Sequence, residues 1–201
     1  MKEAGGARIQ QLEKQFELPL TLRQVETSLQ YVTLLRHWGQ SINLAGPAVL
    51  RDPFPHLFEA FWACQQGFVS QTRIVDVGSG AGLPGLAFLL YRPELRVTLI
   101  EPNFKKALFL KEAGRQLGLD VTVQQSGYQD FRQWEKGLMM TLRGFRPVPE
   151  LLAKVAKAAL SWLWFHGPES ELEFPGFRSQ RQALIPGSRR RRLTLFRADS
   201  L

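Results

Sequence analysis

The stretch Ile74-Val-Asp-Val-Gly-Ser-Gly-Ala-Gly-Leu-Pro-Gly85 limits what this chain can fold into more than any other. Ile74 to Val77 read as a buried parallel strand, glycines follow at 78, 80, 82 and 85, and Leu86, Ala87, Leu89 and Leu90 begin an apolar helix. Without a Cβ the backbone can turn tightly and approach a ligand closely at a helix N-terminus. A strand, a bare turn and a helix start make a nucleotide cradle. A strand-turn-helix with no ligand would leave these destabilising glycines unexplained.

The next strand supplies the complement. Arg96-Val-Thr-Leu-Ile-Glu-Pro102 ends its apolar run on Glu101, 19 residues after Gly82. A carboxylate at the end of a second strand accepts hydrogen bonds from both hydroxyls of an adenosine ribose. Gly80-Ala-Gly-Leu-Pro-Gly85 also satisfies the dinucleotide pattern G-x-G-x-x-G, so a nicotinamide or flavin cofactor is one candidate. Asp76, inside the first strand, points elsewhere. A pyrophosphate is itself anionic and gains nothing from an acid two residues before the first glycine. S-adenosylmethionine carries a sulfonium and an ammonium group and no phosphate, and it is the expected ligand.

A chain of 201 residues fits one domain with an extension. No run reaches the roughly 18 apolar residues of a membrane span. The start Met1-Lys-Glu-Ala-Gly-Gly lacks the apolar segment of a signal peptide, so the cytoplasm is the expected location. Cys64 alone can form no internal disulfide and sits in Ala60-Phe-Trp-Ala-Cys64, where a small core residue is expected. The formal charge is +8, and Arg178, Arg181, Arg189, Arg190, Arg191, Arg192 and Arg197 concentrate it near the C-terminus. Such an excess fits a polyanionic partner, nucleic acid foremost, with ordinary basic surface as the plainer reading. The three histidines share no metal-like spacing, and no metal is proposed. No oligomeric contact is legible; a monomer is the expectation.

Ile9, Leu12 and Phe16 recur at helical spacing, and Thr21 can cap a second amphipathic helix carrying Leu22, Val25, Leu29, Val32, Leu35 and Trp38. His37 falls on its polar side. A turn-rich stretch, 40–47, leads to another apolar helix, about 56–68. Residues 1–68 therefore form an N-terminal helical extension, and 69–201 the ligand-binding domain. Strands are expected at 73–78, 96–101, 121–125, 138–142, 160–165 and 192–197, with helices near 84–91, 104–117 and 149–160. That alternation predicts an α/β fold with a right-handed parallel sheet. Pro168 to Gly187 reads as mostly loop with at most a short hairpin arm, and Leu193-Thr-Leu-Phe196 as an edge-like strand.

In such a sheet the ligand sits outside the carboxyl ends of the strands where the winding reverses. Besides the glycine loop and Glu101, this selects Ser126-Gly-Tyr-Gln-Asp130 and Leu142-Arg-Gly144. Tyr128 and Gln129 can flank an adenine; alternatively Asp130 caps a short helix containing Phe131 and Trp134. Arg143 ends an apolar strand, a costly place for a lone guanidinium, so a carboxylate or a ligand must pair with it.

These residues match a known pattern. Tyr31-Val-x-Leu-Leu-x-x-Trp38 with Asn43-Leu44, Val75-Asp-Val-Gly-Ser-Gly-Ala-Gly-Leu-Pro-Gly85, Arg92-Pro93, Leu99-Ile-Glu101 with Lys105-Lys106-x-x-Phe-Leu110, and Leu142-Arg-Gly-Phe145 resemble the RsmG (GidB) family of bacterial 16S ribosomal RNA methyltransferases. The resemblance covers most of residues 22–145. It implies a class I methyltransferase (Rossmann-like) parallel sheet with an N-terminal helical extension. It also implies methyl transfer from S-adenosyl-L-methionine to guanine N7 in small-subunit RNA, with 16S rRNA or the 30S subunit as partner. Residue by residue, it implies that Gly78 and Leu83 line the methionine end of the cofactor, that Glu101 takes the ribose, and that Tyr128 and Gln129 flank the adenine; Asp76, Gly80 and Gly82 are expected cofactor contacts from the chemistry of the loop itself. Arg143 would border the site where RNA enters, and it is the expected catalytic residue, touching the cofactor side as well. The chain departs from the family pattern at Ala45, Glu59, Ala60 and His166, where threonine, aspartate, serine and lysine are usual. Two rivals stay open at this stage: a protein of this fold that binds cofactor and RNA without catalysis, and a nicotinamide-dependent oxidoreductase.

Overall fold

Thr21 starts the helical layer as expected. Its hydroxyl accepts from Gln24 N while Gln24 Oε1 accepts from Thr21 N at 2.8 Å, a reciprocal cap worth about 1 kcal/mol. The computed structural model describes residues 2–144, 146–158, 160–168 and 173–199. Met1, Phe145 of the Leu142-Arg-Gly-Phe145 motif, Ala159, residues 169–172 of the expected loop, and 200–201 lie outside the described residues. Helices α1 (Lys2–Phe16), α2 (Leu22–Gly39), α3 (Pro47–Arg51) and α4 (Phe54–Gln65) precede the first strand. The short α3 falls just after the stretch read as turns, with Pro47 at its first position and its missing N–H costing nothing there.

The rest alternates: β1 (Arg73–Val77), α5 (Gly85–Tyr91), β2 (Arg96–Ile100), α6 (Phe104–Leu117), β3 (Val121–Gln124), β4 (Leu138–Arg143), α7 (Pro149–Lys157), β5 (Ser161–His166), β6 (Phe177–Leu184) and β7 (Arg192–Ala198). The described strands form one sheet in the order β3-β2-β1-β4-β5-β7-β6. β1 pairs in parallel with both β2 and β4, so the winding reverses between β1 and β4, beside the glycine loop.

Three local expectations are corrected. The 168–187 segment contains the eight-residue strand β6, which its polar sequence Phe-Arg-Ser-Gln-Arg-Gln-Ala-Leu concealed. An edge strand needs no alternation of apolar residues when one neighbour and one face are missing. β6 takes the edge, and β7, read as edge-like, is buried between β5 and β6 and antiparallel to both. No helix forms at 131–135. Phe131 and Trp134 instead meet edge to face at 4.9 Å under the sheet, and their burial outweighs a one-turn helix capped by Asp130.

Two apolar clusters cover the two faces. One joins Ile9, Leu12, Tyr31, Leu35, Phe58 and Phe61 of the N-terminal helices to Ile74, Leu86, Leu99, Phe109 and Leu163. The opposite face is filled largely by aromatics. Trp162 stacks on Phe196 at 4.3 Å and meets Phe174 edge-on at 5.2 Å. Cys64 is a buried core residue, its thiol pushed by burial up to about 12.

Candidate active site

The glycine loop and Glu101 come together. Gly78, Gly80 and Gly82 have φ of 71°, 53° and 83°, the left-handed region where a side chain is strained. Gly78 N and Ser79 N both donate to Ile100 O, which turns the loop back over the end of β2. Glu101, 5% exposed, closes the arrangement: Oε2 accepts from Gly80 N at 2.7 Å and Oε1 from Asn103 N at 2.9 Å. Each oxygen keeps a further lone pair, so the carboxylate can serve loop and ligand together. Gly85 admits no side chain, since a Cβ there would lie 2.7 Å from Asp76 Oδ2 and against Leu99.

Asp76 lies beneath this loop, 1% exposed, with Oδ2 accepting from Gly85 N at 3.1 Å. Burial pushes its carboxyl up from 3.8 to about 7, against the Gly85 hydrogen bond and the Arg143 charge, which pull it down. The folded protein thus holds a proton that the unfolded chain releases near pH 4. The stability this confers is complete below pH 4 and is lost as pH rises through 7. Asp76→Asn is therefore expected to raise the melting temperature at pH 8 and leave it unchanged at pH 4, an effect on the order of a few kcal/mol. Thermal melts at both pH values test this; equal destabilisation at both would mean that the carboxylate is needed charged.

The N-terminal helices reach this loop directly. Tyr31, fully buried on α2, donates from Oη to Ala81 O at 2.8 Å, and Gln24 Nε2 donates to Tyr91 O at the end of α5. Leu83 is buried beside the loop. Tyr128 is half-buried against the aromatic face, whereas Gln129 is exposed, with its carbonyl accepting from Lys154 Nζ at 3.4 Å.

Arg143 does find a carboxylate. Nη2 donates to Glu59 Oε2 at 2.6 Å, Nη1 donates to His56 Nδ1 at 2.7 Å, and Cζ lies 4.4 Å from the Phe165 ring centroid. Because a guanidinium only donates, Nδ1 of His56 is the acceptor and its proton sits on Nε2. Glu59, 1% exposed, is also paired with Arg191. Burial would push this carboxyl up, yet the Arg143 and Arg191 guanidinium groups outweigh it and hold it down at about 2.

These groups border a cavity of about 390 Å³ with Arg146, Trp164, Phe165, His166 and Ile185. It opens at the carboxyl ends of β4 and β5. His166 stacks on Trp164 at 4.4 Å, and its Nε2 meets Thr194 Oγ1 at 2.9 Å. β1 and β4 pair side by side with Asp76 opposite Thr141, so the end of β4 that carries Arg143 brings the cavity beside the cradle. His37 is exposed, as its helical position implied. Arg191 escaped sequence reasoning as a site residue, whereas Glu59 was among the positions where the chain departs from the family pattern. A further signal for Glu59 was an acid set inside the apolar run Phe54 to Cys64, since glutamate is almost never fully buried unless paired.

The GidB family model, rRNA small subunit methyltransferase G, matches residues 24–182. A ribosomal RNA small subunit methyltransferase G from Xanthomonas campestris pv. campestris (strain B100) is 41% identical over 120 residues, covering 58% of this chain and 50% of that protein. In that alignment the chain spans about half the relative's length. The homologue of the same name from Xanthomonas euvesicatoria pv. vesicatoria (strain 85-10) is 36% identical over 205 residues, covering 90% and 91%. Among solved structures, a mutant of MtNAS in complex with S-adenosylmethionine has a TM-score of 0.55 at 14% identity, covering 88% of this chain and 76% of that one. Strand order and these likenesses together show a class I methyltransferase fold.

Proposed function

Because this chain belongs to the GidB family of small-subunit ribosomal RNA methyltransferases G, we propose that it methylates 16S rRNA at a guanine N7, with S-adenosylmethionine as donor. The observation that carries this reading is the meeting of Gly80 and Glu101 at 2.7 Å, where the sheet reverses, beside the arginine-rimmed cavity. The donor set fits the cofactor. The acidic groups at the cradle are Glu101 and Asp76; the Glu101 carboxylate, joined above about pH 7 by that of Asp76, suits a sulfonium-bearing nucleoside and would repel a pyrophosphate. Glu101 would take the ribose, Gly78, Gly80, Gly82 and Leu83 would surround the methionine end, Asp76 would bias the site toward cations, and Tyr128 and Gln129 would flank the adenine. Bound there, S-adenosylmethionine supplies an electrophilic methyl group.

Guanine N7 carries an in-plane lone pair and no proton, so the protein needs to position the base and exclude water rather than remove a proton. His56 fits that division of labour, since its Nδ1 is occupied by Arg143. Arg143 would hold guanine O6 or a phosphate; gripping N7 itself would block attack. The roles divide along the chain: residues 69–201 would hold the cofactor, and the helices of 1–68 would brace the loop through Tyr31 and wall the RNA cavity through His56 and Glu59. No described helix is long and apolar enough to cross a membrane. We place the protein in the cytoplasm with its ribosomal substrate, as a monomer.

Incubation of the purified protein with labelled cofactor and 30S subunits or naked 16S rRNA tests this. Mass-spectrometric mapping is expected to find one 7-methylguanosine. Cofactor binding without transfer to either RNA would overturn the catalytic reading.

A further inference from the structure

The connection between β6 and β7 is a braced turn. Ile185, buried on the cavity wall, donates from N to Arg191 O at 3.0 Å, and Ser188 N donates to Ile185 O at 3.0 Å. Ser188 Oγ accepts from Arg190 N at 3.3 Å and Arg191 N at 2.9 Å. Gln15 of α1 donates from Nε2 to Pro186 O at 2.9 Å, which pins the turn to the helical layer. On this frame the first three of the four consecutive arginines diverge. Arg191 turns inward to Glu59 and the cavity, while Arg189 and Arg190 stand exposed and, among the described residues, without an acidic partner.

Holding three guanidinium groups on one short turn costs repulsion, and Glu59 offsets only one of them. A rigid turn that aims planar forks outward suits phosphates, which arginine grips bidentately, and the frame removes much of the ordering cost of binding. The turn also stands at the mouth of the cavity that holds Arg143. We infer that Pro186–Arg191 is a phosphate clamp for the RNA backbone flanking the target nucleotide: Arg189 and Arg190 grip the flanking phosphates, and Arg191 links the clamp to the cavity through Glu59. This rests on the RNA methyltransferase reading above.

The test is an Arg189→Glu/Arg190→Glu variant beside Arg178→Glu/Arg197→Glu. Arg178 and Arg197 are register partners at the other end of the hairpin, roughly 20 Å away along the strands. Binding to 16S rRNA is measured by filter retention across a salt series, without relying on catalysis. The turn variant is expected to bind at least tenfold more weakly and to lose about 1 to 2 from the slope of log Kd against log salt. Its affinity for S-adenosylmethionine and its kcat at saturating RNA should stay within about twofold. The strand-end variant should bind RNA nearly as the parent does. Unchanged RNA affinity and slope in the turn variant, or equal losses in both variants, would overturn the clamp. So would a loss seen with 30S particles but not with naked RNA, which would place an acidic protein surface on the turn instead. An unmutated protein that binds RNA through this turn but transfers no methyl would refute the catalytic reading and leave the clamp standing.

Discussion

Replacing Arg143 with alanine is expected to cut methyl transfer by roughly a hundred- to a thousandfold, the scale of losing a preorganised donor at the reacting group. S-adenosylmethionine should still bind within a few-fold of the parent, because no described contact joins Arg143 to the glycine loop. The same change strips Glu59 of its principal partner. A buried carboxylate left with too little compensation costs about 3–5 kcal/mol, so the single variant should melt early. Arg143→Ala combined with Glu59→Gln removes the stranded charge, and should recover most of the stability and none of the activity. Differential scanning calorimetry with a transfer assay separates the two effects. Recovery of activity in the double variant would show that Arg143 acts only as Glu59's structural partner. Arg143→Lys keeps the charge but loses the planar fork that spans His56 and Glu59, and should resemble alanine in rate more than the parent.

The second large effect lies at the cradle. Glu101→Gln leaves one acceptor oxygen where two are in use, so an amide NH2 must face Gly80 N–H or Asn103 N–H. Loss of the charge and of one loop bond together should weaken S-adenosylmethionine binding by roughly a hundredfold, or about 2.8 kcal/mol. Gly78→Arg, at φ of 71°, places a bulky cation on strained backbone in a site meant for one, and the loss should be at least as large. Calorimetric titration reads both directly, and the thermal shift given by saturating cofactor should shrink in step. Parental affinity in both variants would show that the cradle is not the cofactor site.

Acid behaviour divides in a way that separates the two buried carboxylates. Asp76 contributes stability that fades upward through neutral pH, while Glu59, held at about 2, contributes stability that is present above pH 4.5 and is lost as pH falls through 2. Asp76 therefore controls the neutral range and Glu59 the acid limb.

Much of the cradle was legible in the linear chain because its determinants are local. A strand, alternate glycines and a helix start lie within twelve residues, and Glu101 occupies the end of an apolar run whose length marks the strand. Backbone freedom at glycine and the burial of Val-Ile-Leu runs act over a few residues, whatever the remainder does. The parallel strands β1 to β5 and helix α6 follow from the same short-range patterns, as does the capped α2. Nucleic acid as the expected partner class rested on charge and on the family resemblance.

Tertiary structure decided the cavity. Glu59, Arg143 and Arg191 stand on α4, at the end of β4 and on the β6–β7 turn, and only the packing of those elements brings one carboxylate between two guanidinium groups. No local pattern encodes such a pairing, since its free energy depends on how much water the assembled fold removes from around the charges. The position of β7 inside the sheet, with polar β6 at the edge, was hidden for the same reason: edge and interior are properties of neighbours, and a strand's own residues do not name them.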